Sequence, residues 1–181
     1  GVKLQDIKDI EAKIEMMDKM IEDIAFSERY KEKVSKLMCF TGIETYTALS
    51  IVCEIGDFSR FPDAKSFSSY IGLVPGQDSS GQRQHYTPLT KTGNARVRTV
   101  LIEATKGIKR SSIYNKSNRL IERQTGQSPE IIAYADKCRK RIKVKMDCLE
   151  NRRGKNANVS TAAGARELAC FIWGMMTGNV A

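Results

Sequence analysis

The chain has 181 residues, of which 41% are hydrophobic, so it can build one sizeable core without disulfides or a structural metal. A formal net charge of +9 and a pI near 9.4 point to a polyanion such as nucleic acid as its partner. The longest near-apolar run, residues 168–176, is too short to span a bilayer, so no membrane partner is expected.

The cysteine and histidine content argues against a bound metal. Five cysteines form no C-x-x-C pair and His85 is the only histidine, so no zinc-finger spacing exists. We expect a reduced, cytoplasmic protein. No signal peptide opens the sequence, and Gly1 followed directly by a helical pattern predicts a segment of a longer protein.

Charge is distributed unevenly along the chain. Residues 1–35 carry seven Lys or Arg against nine Asp or Glu, a net −2. Residues 81–155 carry nineteen against six, a net +13. The basic character, and with it the expected nucleic-acid contact, therefore belongs to the middle of the chain.

The first periodic segment predicts a long helix at residues 3–25. Apolar residues recur there at alternating spacings of three and four, which is a heptad seam. The sequence is equally consistent with a dimeric coiled coil and with a hairpin against another helix of the same chain. The seam consists of Ile7, Ile10, Ile14, Met17, Ile21 and Ile24.

The following segments indicate a mostly α fold. The turn at residues 40–43 between two short helices resembles a helix-hairpin-helix, in which Gly42 would let the backbone approach DNA; a purely structural hairpin is the alternative. At most a small β element is expected near residues 77–89. Helices are predicted at 30–39, 45–55, 63–71, 95–109, 112–125, 129–150 and 162–176, with a basic polar linker at 151–158.

Residues 70–98 combine hydroxyl groups with cations. Ser79 and Ser80 lie in a glycine-bearing loop, and a serine nucleophile needs groups that stabilise the charge developing on a phosphate. An ordinary flexible loop is the alternative, and no metal site is evident. The candidate phosphate-binding groups are Arg83, Lys91, Arg96, Arg98 and the amides of Gly93 and Asn94, with His85 as a weaker candidate base.

The helix predicted at 129–150 carries a run of cations that either forms a solvated face or contacts the nucleic-acid backbone. We favour the backbone contact and assign it to Lys137 and Arg141. The run comprises Lys137, Arg139, Lys140, Arg141, Lys143 and Lys145.

Several motifs in one order resemble the C-terminal transposase domain of the insertion-sequence one-ten (IS116/IS110/IS902-type) family, which includes the Piv-type DNA invertases. The resemblance implies a loop serine that attacks a DNA phosphate and forms a phosphoserine intermediate. The motifs are residues 41–43 with Ala48, 54–61, 70–75, 79–81 and 90–94 with Arg98, and 166–173 resembles the family's closing helix.

By this resemblance Ser80, which precedes Gly81, is the nucleophile and Ser79 the second choice. Lys91, Gly93, Asn94 and Arg98 match the segment that positions the phosphate or the loop. Phe40 and Glu44 depart from the family's Pro-Gly-Ile-Gly hairpin, which puts DNA binding by that turn in doubt.

The resemblance also implies partners and a division of the chain. Residues 1–28 would be a helical connector that mediates homo-oligomerisation, and 29–181 the helical recombinase domain. DNA, a guide (bridge) RNA and an N-terminal RuvC-like domain holding Mg²⁺ are the implied partners, in a bacterial, nucleoid-associated protein. The competing hypothesis is a non-catalytic helix-hairpin-helix DNA-binding module.

Overall fold

The computed structural model describes residues 2–80 and 83–180, and it is a mostly α fold with one two-stranded ribbon. The prediction of a mostly α domain with a small β element is confirmed. The helices are α1 (Val2–Ala25), α2 (Lys31–Met38), α3 (Thr45–Ile55), α4 (Ala64–Tyr70), α5 (Ala95–Arg110), α6 (Asn118–Gln124), α7 (Pro129–Asp147) and α8 (Ala157–Met176), and the strands are β1 (Pro75–Ser80) and β2 (Arg83–Leu89).

Helix α8 lies at the centre of the core and contacts α2, α4, α5 and α7. Its small residues allow this, since a Cβ on Gly164 would lie 2.8 Å from the Thr105 methyl group of α5. On the same helix Leu168 and Ile172 are fully buried. Across residues 2–80 and 83–180, none of the helices has the length and apolar character needed to cross a membrane.

Helix α1 extends away from this core. Every described side chain from residue 3 to residue 20 is exposed, and only Ile21 and Ala25 reach the core. Among residues 2–80 and 83–180, no other helix covers the seam. The exposed seam residues are Ile7, Ile10, Ile14, Met17 and Ile24, at 47–57% exposure.

Helices α2 and α3 form the hairpin that resembles a helix-hairpin-helix, and Gly42 in its turn faces the protein interior. Gly42 has a φ of +83°, and a Cβ there would lie 2.3 Å from the Ala104 carbonyl oxygen of α5. The glycine therefore permits close packing of the turn against α5. Glu44 pairs with Arg123 of α6 at 3.3 Å.

Two predicted helix starts are wrong. Helix α6 begins at Asn118, capped by Ser117, because the Ser112 hydroxyl instead accepts the amides of Tyr114 and Asn115 in a turn. Helix α8 begins at Ala157, capped by Asn156, inside the predicted linker. A π-helical turn, Cys148–Arg152, joins α7 to this start.

Candidate functional site

The ribbon presents the two candidate serines at the end of β1. The antiparallel register pairs Ser80 with Arg83 and Ser79 with Gln84, while Asp78 pairs with His85. Both serines therefore lie next to the connection between the strands. The side chains of Ser79, Ser80, Arg83 and His85 lie outside the described part of the structure.

The base of the ribbon is held by close contact between two backbone segments. The Thr90 amide donates to the Val74 carbonyl oxygen at 3.0 Å. A Cβ on Gly93, whose φ is +86°, would lie 1.8 Å from the Tyr70 carbonyl oxygen. A Cβ on Gly72 would lie 2.2 Å from the Thr92 carbonyl oxygen. Only glycine fits at these two positions, so the end of α4 and the start of α5 are locked together.

Asn94 caps α5 and links it to α3. Its side-chain oxygen accepts the Val97 amide at 2.9 Å, and its amide group donates to Glu54 at 2.8 Å. Glu54 also lies 3.6 Å from Arg96 Nε. Asn94 therefore positions the helix start, and its side-chain groups are engaged within the protein.

Arg98 reinforces the same contact. Its guanidinium group donates to the Ile71 carbonyl oxygen at 3.0 Å and lies 3.4 Å from the Thr92 carbonyl oxygen. We call the contact of residues 70–72 with residues 91–94, together with Arg98, the glycine clamp. It fixes the direction in which the ribbon leaves the core.

Two cations at the glycine clamp are exposed, Lys91 within it and Arg96 next to it. Lys91 is exposed and has a φ of +53°, the left-handed region that a non-glycine residue rarely adopts. Arg96 is 68% exposed in the first turn of α5, where a cation opposes the helix dipole. The predicted phosphate donor at the Asn94 amide is engaged, because this amide donates to the Tyr70 carbonyl oxygen at 3.2 Å. The exposed charges of Lys91 and Arg96 are therefore the groups at this corner that suit an anion such as a phosphate.

The predicted cationic surface of α7 is divided by the structure. Lys137 and Lys140 are exposed. Arg141 is also exposed but lies 2.5 Å from Glu167, which binds Lys145 at 2.6 Å. The α7 cations therefore do not form one continuous solvated face.

Two further α7 cations hold the opposite end of α5. Arg139 is 2% exposed and donates to the Ser112 and Asn115 carbonyl oxygens at 2.9 Å each. Lys143 donates to the carbonyl oxygens of Ile108, Lys109 and Ser111. Burial, and secondarily the charge of Arg139, lowers the pKa of Lys143. We call this arrangement the cation clamp.

Besides Ser79, Ser80 and Arg83 on the ribbon, the predicted site residues form two groups. Lys91, Gly93, Asn94, Arg96 and Arg98 converge at the ribbon base, whereas Lys137 and Arg141 lie on α7, whose Lys143 holds the far end of α5. Sixteen residues of helix place the ends of α5 about 24 Å apart.

Sequence reasoning missed three residues that organise these groups. Glu54 joins Asn94 and Arg96, and Arg139 and Lys143 are internal donors within a run that the sequence presents as surface charge. The signal for Glu54 was its place in the family motif. No local pattern distinguishes Arg139 or Lys143 from their exposed neighbours. Among the described residues, no cluster of three or more His, Cys, Asp or Glu side chains could hold a metal ion.

Comparison with known proteins defines the class. Residues 34–119 match a family model described as "Transposase IS116/IS110/IS902 family", a segment that runs from α2 to the start of α6 and contains the ribbon and α5. This segment is a transposase domain. The chain belongs to the IS116/IS110/IS902 transposase family.

Its relatives are longer proteins. A Sinorhizobium fredii protein named "Putative transposase y4qE" is 34% identical over 140 residues, which cover 77% of this chain and 35% of the relative. The transposase for insertion sequence element IS1111A of Coxiella burnetii is 31% identical over 64% of this chain and 33% of its own length. The chain therefore spans about a third of the length of these two curated relatives.

Proposed function

We propose that this chain supplies the serine nucleophile of a DNA transposase, with Ser80 as the attacking residue and Ser79 as the second choice. The observation that carries the proposal is the position of both serines at the end of a ribbon whose base is locked to α4 and α5. Family membership supports a role in transposition or recombination. A rigid base is what a nucleophile needs to meet a phosphate in a fixed geometry.

The proposed reaction is a phosphoryl transfer. The serine hydroxyl loses its proton as its oxygen bonds to a DNA phosphorus, and one ester oxygen of the strand takes up a proton and leaves as a hydroxyl group. The phosphorus then joins the other strand end to the serine as a phosphoserine diester. Reversal with a second strand end would join the DNA without net loss of a phosphodiester bond. Arg83 of the ribbon, with Lys91 and Arg96 at its base, would bind the phosphates that flank the reacting one.

A second domain would complete this site. By the family resemblance we expect a RuvC-like domain whose acidic residues hold Mg²⁺, which would activate the leaving or attacking oxygen. A guide RNA would select the target sequence. Within this chain we propose that residues 29–181 form the recombinase domain, and that Lys137 and Arg141 bind DNA phosphates.

We assign residues 1–28 to self-association. The α1 seam is exposed, and α1 carries four Lys against seven Asp or Glu, a net −3 that suits a protein partner better than DNA. A second copy of α1 would cover the seam. Ile10→Asp should convert the assembled species to monomer in sedimentation equilibrium, whereas Glu15→Lys, on the helix face away from the seam, should leave it assembled. A wild-type monomer at all concentrations would refute the assignment.

The test of the nucleophile uses the full-length protein, a guide RNA and a nicked suicide DNA that traps the covalent intermediate. We expect a protein–DNA adduct that disappears in Ser80→Ala and persists in Ser79→Ala and His85→Ala. Peptide mass spectrometry should locate the phosphate on Ser80.

The controls separate the alternatives. An adduct that persists in Ser80→Ala and disappears in Ser79→Ala moves the nucleophile by one residue. If neither serine variant differs from the wild type and DNA affinity stays high, the result favours the competing hypothesis of a non-catalytic DNA-binding module. That hypothesis is not helped by Gly42, which faces α5.

A further inference from the structure

The loop between α5 and α6, residues 111–117, carries the most exposed aromatic side chain of the described residues. Tyr114 is 88% exposed, compared with 57% for Tyr46 and 36% for Tyr70. Burial of a tyrosine ring is favourable, and a ring left this far in solvent contributes little to folding. The ring is therefore accessible to a ligand outside the core.

The loop that presents Tyr114 is held in one shape. The Ser112 hydroxyl accepts the amides of Tyr114 and Asn115 at 3.2 and 3.1 Å. Arg139 donates to the carbonyl oxygens on both sides of the ring, at Ser112 and Asn115. A pre-formed loop loses little conformational entropy when it binds a ligand.

The groups that hold the loop leave positive charge beneath it. Arg139 and Lys143 bind neutral carbonyl groups and form no ion pair among the described residues. Arg139 Nε is buried without a hydrogen-bond partner in the part of the chain that the structure describes. A cation bound only by carbonyl dipoles keeps its field, which favours an anion at the surface above it.

The sequence around the loop adds to this field. From residue 104 to residue 121 there is no Asp or Glu, while five cations occur. Three of these cations pair with carboxylates outside this range, Lys106 with Glu103, Lys109 with Glu150 and Lys116 with Asp136. The other two, Arg110 and Arg119, are exposed and flank the loop in sequence. An exposed aromatic ring flanked by cations is typical of a surface that stacks bases and binds the phosphates between them.

We propose that Tyr114 stacks on an unpaired base of a DNA strand, with Arg110 and Arg119 binding the adjacent phosphates. The proposal rests on the proposed function in one respect, because both assume that the bound polyanion is DNA. The loop lies about 24 Å from the ribbon base along α5, so it is a second contact, distinct from the reacting phosphate. It would hold the strand that strand exchange leaves unpaired.

The test measures binding of this chain to a fluorescein-labelled single-stranded DNA 20-mer, its duplex and the RNA of the same sequence by fluorescence anisotropy. Tyr114→Ala should weaken single-strand binding about tenfold and leave duplex binding unchanged, because the loss of one stacked base is the only change. Tyr114→Phe keeps the ring and should bind like the wild type. The matched control is Tyr46→Ala, which removes another exposed tyrosine and should change neither affinity.

Several outcomes would overturn the proposal. Base stacking by Tyr114 would be refuted if Tyr114→Ala left the single-strand affinity unchanged. It would also be refuted if Tyr46→Ala lost as much single-strand affinity, or if Tyr114→Ala weakened duplex binding as much as single-strand binding. Tighter binding of RNA than of DNA through Tyr114 would assign the loop to RNA. Ser80→Ala should retain the Tyr114 dependence, so failure of the adduct experiment with this dependence intact would refute only the proposed function.

Discussion

The two ends of α5 are held by different physical means. At its start the glycine clamp brings the Gly93 and Gly72 backbones against the Tyr70 and Thr92 carbonyl groups, so shape dominates. At its other end Arg139 and Lys143 donate to the carbonyl groups of the following loop, so charge dominates there. Each end of α5 holds a segment that leaves the core. The start of α5 holds the ribbon with the two serines, and its other end holds the loop with Tyr114.

This difference determines what each clamp tolerates. A steric clamp excludes any added atom but is indifferent to pH and salt. A cationic clamp tolerates changes in side-chain shape but depends on donors that stay protonated, and it keeps a positive field at the surface. The glycine clamp therefore suits the ribbon, because a proposed nucleophile needs a rigid base. The cation clamp suits the Tyr114 loop, because a proposed DNA contact needs positive charge.

The largest predicted effect is at the glycine clamp. Gly93→Ala places a Cβ 1.8 Å from the Tyr70 carbonyl oxygen at a positive φ, so the backbones must separate. We expect the free energy of unfolding to fall by about 3 kcal/mol or more, measured by urea denaturation.

The matched control is Gly126→Ala. Gly126 has a φ of +82° with no atom within 4 Å of the added Cβ, so only the conformational penalty of about 1 kcal/mol remains. Equal losses in the two variants would mean that close contact at Gly93 contributes nothing.

The cation clamp should give an intermediate effect. Arg139→Met keeps much of the side-chain volume but leaves the Ser112 and Asn115 carbonyl groups without their donor. Relief of the buried charge offsets part of the loss, so we expect unfolding to become easier by about 2 kcal/mol. Hydrogen exchange at residues 111–117 should accelerate while the ribbon base keeps its protection.

The exposed neighbour Lys140 provides the comparison. Lys140→Met removes the same charge one residue along α7 and should change stability by less than about 0.5 kcal/mol. If both variants behave alike, the carbonyl contacts of Arg139 do not hold the loop.

The smallest effect is predicted for the link between α3 and the glycine clamp. Glu54→Ala removes the acceptor of the Asn94 side-chain amide and should lower stability by about 1 kcal/mol in urea denaturation. Glu103→Ala breaks an exposed pair with Lys106 and should have almost no effect. A Glu54 variant as stable as the Glu103 variant would show that Asn94 needs no support from α3.

The sequence predicts correctly those helices whose ends depend on neighbouring residues alone. Helix α3 was predicted at 45–55 and observed at Thr45–Ile55, and α5 differs from its prediction by one residue, because apolar periodicity and capping residues act over a few positions. The predicted start of α8 is wrong because the polar linker predicted at 151–158 includes its first two residues, yet Ser160 and Thr161 in its first turns are buried.

The site was predictable only in part, because its key contacts join distant residues. Motif order identified the segment that contains Gly93, Asn94 and Arg98. That Gly93 meets Tyr70, that Asn94 binds Glu54, or that Arg139 holds a loop 24 residues away could not follow from local patterns. These contacts are created by tertiary packing.

The length of α1 has a consequence for an assembled protein. Its 24 residues extend about 36 Å, and only the last turn or so packs on the core. In an assembly paired through α1, the length of this helix would set the distance between the pairing surface and the serines. Removing seven residues would shorten it by about 10 Å and keep the seam on nearly the same side. Removing two residues would shorten the helix by only about 3 Å but would turn the seam away by about 160°, so the orientation of the seam would change far more than its distance from the core.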